Sequence, residues 1–173
     1  WGTQFGMIIF GYKHFLNEAA FQEAPVSELA RLYRLVNQLS DYHASKNALP
    51  QKEQELDQLS EKLQTLENSA DQTDKKVQKQ LKKLKAELGE KQSALTSLQE
   101  GLSELEANTD LHSKAIAFPD IARLAREETA KLHAGDVENN DLWKQFLPQC
   151  LDAIQGVYDR LDIHFDMTLG ESY

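Results

Sequence analysis

Residues 50–108 read PQKEQELDQLSEKLQTLENSADQTDKKVQKQLKKLKAELGEKQSALTSLQEGLSELEAN, a stretch without aromatic residues that is rich in Leu, Lys, Glu and Gln. In its second half the apolar residues recur alternately four and three positions apart, which is a seven-residue repeat with two apolar columns. The columns consist of Val77, Leu84, Leu98 and Leu105, and of Leu81, Leu88, Leu95 and Leu102. Lys91 is the one exception in the repeat. So narrow a stripe is typical of a coiled coil rather than of a helix packed on a globular core.

The first half of the stretch carries the same stripe. Its members are Leu56, Leu59, Leu63 and Leu66. Residues 68–73 between the halves read NSADQT, lack any stripe residue and are rich in side chains that hydrogen-bond their own backbone, so they predict a turn. We therefore predict that residues 46–116 form an antiparallel coiled-coil hairpin, in which each arm covers the leucine columns of the other. Arms of roughly 40 residues would be on the order of 60 Å long.

The aromatic residues are confined to the two ends of the chain, up to and including Tyr42 or after Ala117. This segregation predicts a small helical base built from residues 1–45 and 117–173, from which the hairpin projects. The predicted fold class is mainly α: a long antiparallel helical hairpin on a small helical base, with short strand-like ends. The strand-like pieces are residues 163–166 and 168–173, around a turn.

Local signals place the helices of the base. Residues 1–16 are apolar on all sides and contain three glycines, as in a buried helix that another element approaches closely. Ser27 is a suitable N-cap for a helix whose stripe consists of Leu29, Leu32, Val36 and Leu39. Pro50 predicts a kink or short break in the continuation of this helix.

The third helix of the base is predicted to have Pro119 in its first turn and to end at Gly135. Residues 136–140 then supply caps for a helix with a wide aromatic stripe, which Pro148 should bend.

The charge pattern bears on possible partners. A net charge of -9 argues against a general polyanion-binding surface, because phosphates are held mainly by Lys and Arg. A basic cluster nevertheless follows the predicted turn: Lys75, Lys76, Lys79, Lys82, Lys83 and Lys85. It could contact an RNA backbone, but the predicted partner arm is acidic and no aromatic residue is available to stack on a base. We therefore favour a solvated face that pairs with the acidic residues Glu53, Glu55, Asp57, Glu61 and Glu67.

Most catalytic motifs are absent from the sequence. The five histidines and Cys150 show no metal-ligand spacing, so no metal site is predicted. There is neither a glycine-rich phosphate loop nor a nucleophile elbow. The single cysteine excludes an internal disulfide and fits a reducing cytosol, and no apolar run is long enough to cross a membrane. Composition and spacing alone favour a non-catalytic coiled-coil module that binds protein or RNA, which stays the alternative function.

The two ends of the chain indicate more. The segment Trp1–Met7, WGTQFGM, resembles the signature of arginyl-tRNA synthetases, in which a Gly-Asp pair precedes the tryptophan. Leu29 to Tyr33 fits the first connecting helix of that family. The downstream order is also similar to the family's approach to its Gly-Glu-Ser segment: Gly135-Asp136, Leu142-Trp143, Tyr158 with Leu161, Phe165-Asp166, and Gly170 to Tyr173. The resemblance covers residues 1–45 and 117–173.

The chain departs from the family pattern in two respects. Residues 46–116 have the character of an insertion, a lengthened hairpin where the family has a shorter connection. Neither of the two ATP-binding signatures of class I synthetases, His-Ile-Gly-His and Lys-Met-Ser-Lys, occurs in the sequence. We therefore expect an internal fragment of the catalytic domain, cut at both ends and inactive alone, with no cofactor bound to it.

For the parent enzyme the resemblance implies an arginine–tRNA ligase of the cytoplasm, with arginine, ATP with Mg, and tRNA as substrates and partners. Glu171 is the residue that we expect to bind substrate arginine, because a cationic amino acid requires a carboxylate. Trp1, Gly2 and Gln4 are expected to line the same site. The partner of the hairpin stays open between tRNA, a protein and none.

Overall fold

The computed structural model describes residues 2–69, 74–165 and 167, and of Ser69 the backbone alone. Within this part the chain is helical and contains no strand. The helices are α1 (Thr3–Phe15), α2 (Glu18–Glu23), α3 (Pro25–Ser69), α4 (Lys75–Ala107), α5 (Thr109–Ala117), α6 (Ile121–His133) and α7 (Val137–Arg160). The prediction of a mainly α fold is confirmed. None of the helices in the described ranges is long and apolar enough to span a membrane.

The chain divides into two compact units. The first consists of Trp1–Gln38 and Asp120–Tyr173, and the second of Leu39–Pro119. The first unit therefore joins the two ends of the sequence, while the second contains most of α3 together with α4 and α5.

In the first unit, α1 contacts a helix on each of two faces, which explains why it is apolar all round. On one face Gly6 lies against the backbone of α6 at Ala125 and Thr129. On another face Gly11 lies against Leu32 and Val36 of α3, where an added Cβ would be 3.0 Å from the Leu32 Cβ. Both glycines are buried, as the sequence predicts for a helix that other elements approach closely.

The core of the first unit is centred on four buried side chains, Ile9, Leu29, Leu132 and Phe146. Aromatic rings surround them: the Tyr12 ring lies 5.0 Å from the Phe146 ring and 5.3 Å from the Phe21 ring, centroid to centroid. The first half of the α7 stripe, from Leu142 to Cys150, thus packs on this core as its pattern predicts, whereas its second half, from Leu151 to Leu161, is largely exposed.

Helix ends in the first unit follow local chemistry. Gly135, at φ +81°, follows α6, and the amide of Asp136 donates to the Lys131 carbonyl over 3.0 Å, a Schellman-type ending. The Asp136 side chain then caps α7 by accepting from the Asn139 amide. Both features agree with the sequence prediction, whereas Pro119 lies before α6 rather than in its first turn.

The structure corrects two predictions about α3, the Ser27 cap and a short break at Pro50, while a kink at Pro50 stays a prediction. The helix begins at Pro25 rather than after a Ser27 cap, because a proline at the first helical position loses no hydrogen bond. It also continues without a break through Pro50. Pro50 is exposed, so the carbonyl of Lys46, which lacks its usual donor, can be solvated by water. Apolar residues packed on both sides of Pro50 then outweigh a penalty of about 3 kcal/mol.

In the second unit, α3 and α4 are linked by polar contacts along their length. Lys46 Nζ lies 2.8 Å from Glu106 Oε1, Gln99 Nε2 lies 3.2 Å from Glu53 Oε1, Lys91 Nζ lies 2.8 Å from Glu55 Oε2, and Lys85 Nζ lies 2.7 Å from Glu67 Oε1. The stripe residues of α4 are buried or half-buried, with Leu95, Leu102 and Leu105 the most buried. The predicted turn at residues 68–73 falls for the most part, at 70–73, outside the described residues.

Tyr42 of α3 is buried beside the carboxyl end of α4, where α5 begins. Its hydroxyl donates to Glu106 over 2.8 Å and accepts from Lys46 Nζ over 2.8 Å. The hydrogen bonds that Lys46 donates to Glu106, the largest cause, and to Tyr42 raise the pKa of Lys46. Asn108 ends α4 through its amide and caps α5 through its side chain.

The strand-like pieces predicted at the carboxyl end are not strands where they are described. Residues 163–165 form neither helix nor strand, because α7 extends to Arg160 and the chain leaves it through Asp162 at φ 54°. Asp166 and residues 168–173 lie outside the described part.

Candidate functional site

Two of the four predicted site residues are described, and both are at the start of α1. Gly2 has extended backbone, with φ -74° and ψ 159°, and its carbonyl accepts from the Phe5 amide over 3.2 Å. Gln4 follows in the first turn, and its Oε1 lies 2.7 Å from where a Cβ on Gly2 would be. The structure therefore brings Gly2 and Gln4 together at an exposed helix start. Trp1 and Glu171 are outside the described residues, so their place beside Gly2 and Gln4 stays a prediction.

A buried polar network lies farther along α1. Lys13 Nζ is bonded to Glu128 Oε2 over 2.8 Å, to Glu138 Oε2 over 2.9 Å and to Asn139 Oδ1 over 2.7 Å. Asn139 is fully buried, and its Nδ2 donates to the Glu128 carbonyl and to Glu128 Oε2 over 3.0 and 2.9 Å. Lys131 bonds the other Glu128 oxygen over 2.6 Å. The network thus joins α1, α6 and the first turn of α7 through one carboxylate.

The electrostatics of this network favour its ionised form. Burial opposes the negative charge of Glu128, but hydrogen bonds from Lys13, Lys131 and Asn139 outweigh it and lower its pKa to about 2. Burial likewise opposes the charge of Lys13, yet its bonds to Glu128 and Glu138 raise its pKa. Lys13 and Glu128 therefore form an ion pair whose polar atoms are satisfied, a structural arrangement rather than an acid–base pair poised near neutral pH.

A second buried carboxylate fixes the turn between α1 and α2. Glu28 accepts from the Asn17 amide over 2.9 Å and from Arg31 Nε and Nη2, each over 2.6 Å. The Arg31 guanidinium also donates to the Phe15 carbonyl at the end of α1 over 2.8 Å. The Arg31 hydrogen bonds are the main cause of the lowered pKa of Glu28. This pair holds the end of α1 to α3.

Neither network is predicted from the sequence. The sequence does contain one indication of the network around Lys13. Lys13 is the only Lys or Arg in residues 1–30 and lies in a helix that is otherwise apolar all round. Such a lone cation needs a buried acceptor, but its partners are more than a hundred residues away. For metals, no group of three His, Cys, Asp or Glu side chains with suitable placement occurs within the described part of the chain.

Comparison with known proteins gives the family. The model of the family "tRNA synthetases class I (R), catalytic domain" matches residues 1–108, well over half of the chain. A relative named arginine–tRNA ligase from Rhodopirellula baltica is 38% identical over 183 aligned residues that cover all of this chain and 27% of the relative. Proteins of the same name from Fusobacterium nucleatum and Enterococcus faecalis are 25% and 22% identical, again over all of this chain and over 17% of each relative.

This chain belongs to the family of class I arginyl-tRNA synthetases, in its catalytic domain. The resemblance in residues 1–7 and near the carboxyl end is thereby confirmed. The chain spans between about a sixth and about a quarter of the length of these relatives. No solved structure matches it.

Proposed function

We propose that this chain is an internal part of an arginine–tRNA ligase, which attaches arginine to its tRNA at the expense of ATP. The observation that carries the proposal is the 38% identity, over the whole chain, to a relative of that name. A chance match of the two ends to an unrelated coiled-coil protein would not extend through residues 46–116. The test is aminoacylation of tRNA with arginine by the full-length parent enzyme.

ATP and Mg enter this proposal only through the family. The chain contains neither ATP-binding signature. We therefore assign no ATP-dependent step to the described residues of α1 to α7. On the proposal, the chain contributes the arginine side of the site and is inactive alone.

The arginine side consists, on this proposal, of Glu171 with Trp1, Gly2 and Gln4. The closeness of Gln4 Oε1 to Gly2 supports a shared surface at the start of α1, because any side chain at position 2 would displace that amide. Glu171 is assigned by its position between Gly170 and Ser172 in the family's Gly-Glu-Ser segment. Its role is to pair with the guanidinium of the substrate.

The full-length enzyme with Glu171→Gln is expected to show a KM for arginine raised about tenfold to a hundredfold, since a charge-assisted bond contributes about 1.5–3 kcal/mol. The formation of arginyl adenylate should slow in parallel at low arginine. Glu90→Gln, an equal charge change on the exposed surface of α4, is the matched control and should leave both unchanged. An unaltered KM for arginine in the Glu171 variant would refute the assignment.

We further propose that residues 46–116 fold as an antiparallel coiled-coil hairpin. The polar contacts between α3 and α4 support it: as the α3 partner advances from Lys46 to Glu67, the α4 partner recedes from Glu106 to Lys85. The leucine stripe of α4 is the least exposed side of that helix. Both features are those of two helices that run in opposite directions along a shared apolar seam.

Lys91 tests the seam, because it occupies a stripe position and is half-buried beside Glu55. We expect Lys91→Leu to raise the thermal unfolding midpoint by a few degrees, since a leucine there would extend the apolar seam, whereas an exposed ion pair contributes little. Circular dichroism at 222 nm measures the change. Lys52→Leu, on the exposed side of α3, is the control and should give no such rise. A lower midpoint for Lys91→Leu would show that this position faces water.

A further inference from the structure

The basic cluster at the start of α4 is arranged differently from the prediction made for it. Cross-helix pairing is found for Lys85, which contacts Glu67. The other five lysines are exposed, and within the described residues their ammonium groups make no ion pair. We call these five the lysine face: Lys75, Lys76, Lys79, Lys82 and Lys83. Their exposure agrees with the predicted solvated face, whereas the predicted pairing with the acidic residues of α3 is found, within the described part of this cluster, for Lys85 alone.

The helical geometry explains why they are unpaired. At about 3.6 residues per turn, the lysine face occupies an arc of roughly 120°, centred opposite the stripe residues Val77, Leu81 and Leu84. The stripe is the half-buried side of this helix. The five ammonium groups therefore point away from the seam, whereas Lys85 lies at its edge, within reach of Glu67.

This concentration of charge is unfavourable for the helix itself. Residues 75–86 contain six lysines and no acidic residue, and the first turn of α4 contains no acidic residue. Cations at a helix N-terminus oppose the helix dipole, and like charges three or four positions apart repel each other. A sequence that violates local preference in this way is expected where function requires it. A bound anion would relieve the repulsion.

We propose that the lysine face binds the phosphate backbone of the tRNA that the parent enzyme charges. Lysines on one exposed face of a helix match a row of phosphates, which dominate the affinity of RNA for proteins. No aromatic residue lies in residues 50–108 to stack on a base, so the contact fixes the position of the tRNA without reading its sequence. The whole chain has a net charge of -9 even with the five lysines counted, so the rest of the chain is acidic, repels RNA and confines the contact to this face.

The proposal rests on the proposed function for the identity of the RNA, and the test separates the two. In the full-length enzyme, all five lysines of the face are changed to glutamine, a good helix former that also removes the repulsion. Binding of the tRNA is measured by fluorescence anisotropy over a range of salt concentrations, and aminoacylation kinetics are measured in parallel. The matched pair of double variants is K79Q/K82Q against K52Q/K62Q, which remove equal charge from the lysine face and from exposed positions of α3.

In the variant with all five lysines replaced, we expect both the Kd and the KM for tRNA to rise about tenfold or more near 0.1 M salt. The slope of log Kd against log salt concentration should fall by about 2–4. The kcat at saturating tRNA and the KM for arginine should stay within about twofold of wild type. K79Q/K82Q should show part of the effect and K52Q/K62Q none. If the variant with all five lysines replaced has the Kd for tRNA of wild type, with the same dependence on salt concentration, the proposal is overturned. The lysine face then serves a partner of another class, such as an acidic protein. An enzyme that binds tRNA through this face without charging it with arginine would refute the proposed function alone.

Discussion

Replacement of Gly6 by alanine is expected to destabilise the unit formed by residues 1–38 and 120–173 by about 3 kcal/mol or more. A Cβ at this position would overlap the Ala125 carbonyl oxygen and the Thr129 Oγ1, and it would lie 2.9 Å from the Thr129 amide nitrogen. Two of these atoms belong to the backbone of α6, which cannot move aside as a flexible side chain can. The helices must separate, and the packing of Ile9 and Leu132 beneath them is then lost.

Helix propensity alone would give the opposite sign. Alanine in a helix interior is favoured over glycine by about 1 kcal/mol, so any measured loss at Gly6 reports the close contact rather than the backbone preference. Gly101 provides the matched control, because it lies within α4 and an added Cβ would have no atom within 4 Å. Gly101→Ala should therefore stabilise the chain by up to about 1 kcal/mol.

Urea unfolding followed by tryptophan fluorescence and by circular dichroism measures both changes. Trp143 packs against the core of the first unit and reports on it directly. A Gly6→Ala chain that is as stable as wild type would mean that α1 and α6 are not in contact at this point. Gly11→Ala should have a smaller effect, since its nearest contact, at 3.0 Å, is a side-chain atom of Leu32.

The contrast between these glycines shows how far the sequence predicts the fold. Closely spaced glycines in an apolar helix predict a close approach by another element, and the structure has one. The sequence does not say which helix makes the approach, because Gly6 and Thr129 are separated by most of the chain. Periodicity and capping are local signals, so the stripes of α3 and α4, the first half of the α7 stripe and the ends at Gly135 and Asp136 are predicted correctly.

The errors arise where tertiary packing overrides a local preference. Pro50 disfavours a helix locally, but it lies on an exposed face of α3 and the rest of that helix is held by its apolar side. Composition predicts that the basic residues of α4 pair with the acidic residues of α3. It does not show on which side of α4 the lysine side chains lie. The orientation follows only when the leucine stripe is placed on the seam.

Of the candidate site, the sequence predicts the family through a short motif at residues 1–7. The Lys13–Glu128–Asn139 network could not be predicted, since its partners come from three helices and no spacing relates them. The network nevertheless predicts how the stability of the first unit depends on pH, because Lys13, Lys131 and Asn139 all donate hydrogen bonds to the carboxylate of Glu128.

Acid should weaken the first unit through Glu128. The pKa of this carboxyl is about 2 in the folded chain against an ordinary value of 4.5. A carboxyl whose pKa is lowered by folding contributes stability above its unfolded pKa, and that contribution is lost as the pH falls through the folded value. The contribution of Glu128 to stability is therefore lost between about pH 4.5 and about pH 2. The shift in its pKa corresponds to about 3 kcal/mol in the free energy of unfolding.

Glu128→Gln isolates this contribution from that of other carboxylates. At pH 7 the variant should be less stable than wild type by about 3 kcal/mol or more, because Lys13 loses its buried ion-pair partner and keeps only the exposed carboxylate of Glu138. As the pH is lowered from 4.5 to 2, wild-type Glu128 becomes protonated and the difference in the free energy of unfolding should shrink. Glu138→Gln is the control: Glu138 also bonds Lys13, but its side chain is 70% exposed, and its loss should cost under about 1 kcal/mol at any pH. A difference between wild type and Glu128→Gln that stays constant from pH 7 to pH 2 would show that this carboxylate does not carry the network, since only its titration can narrow the gap.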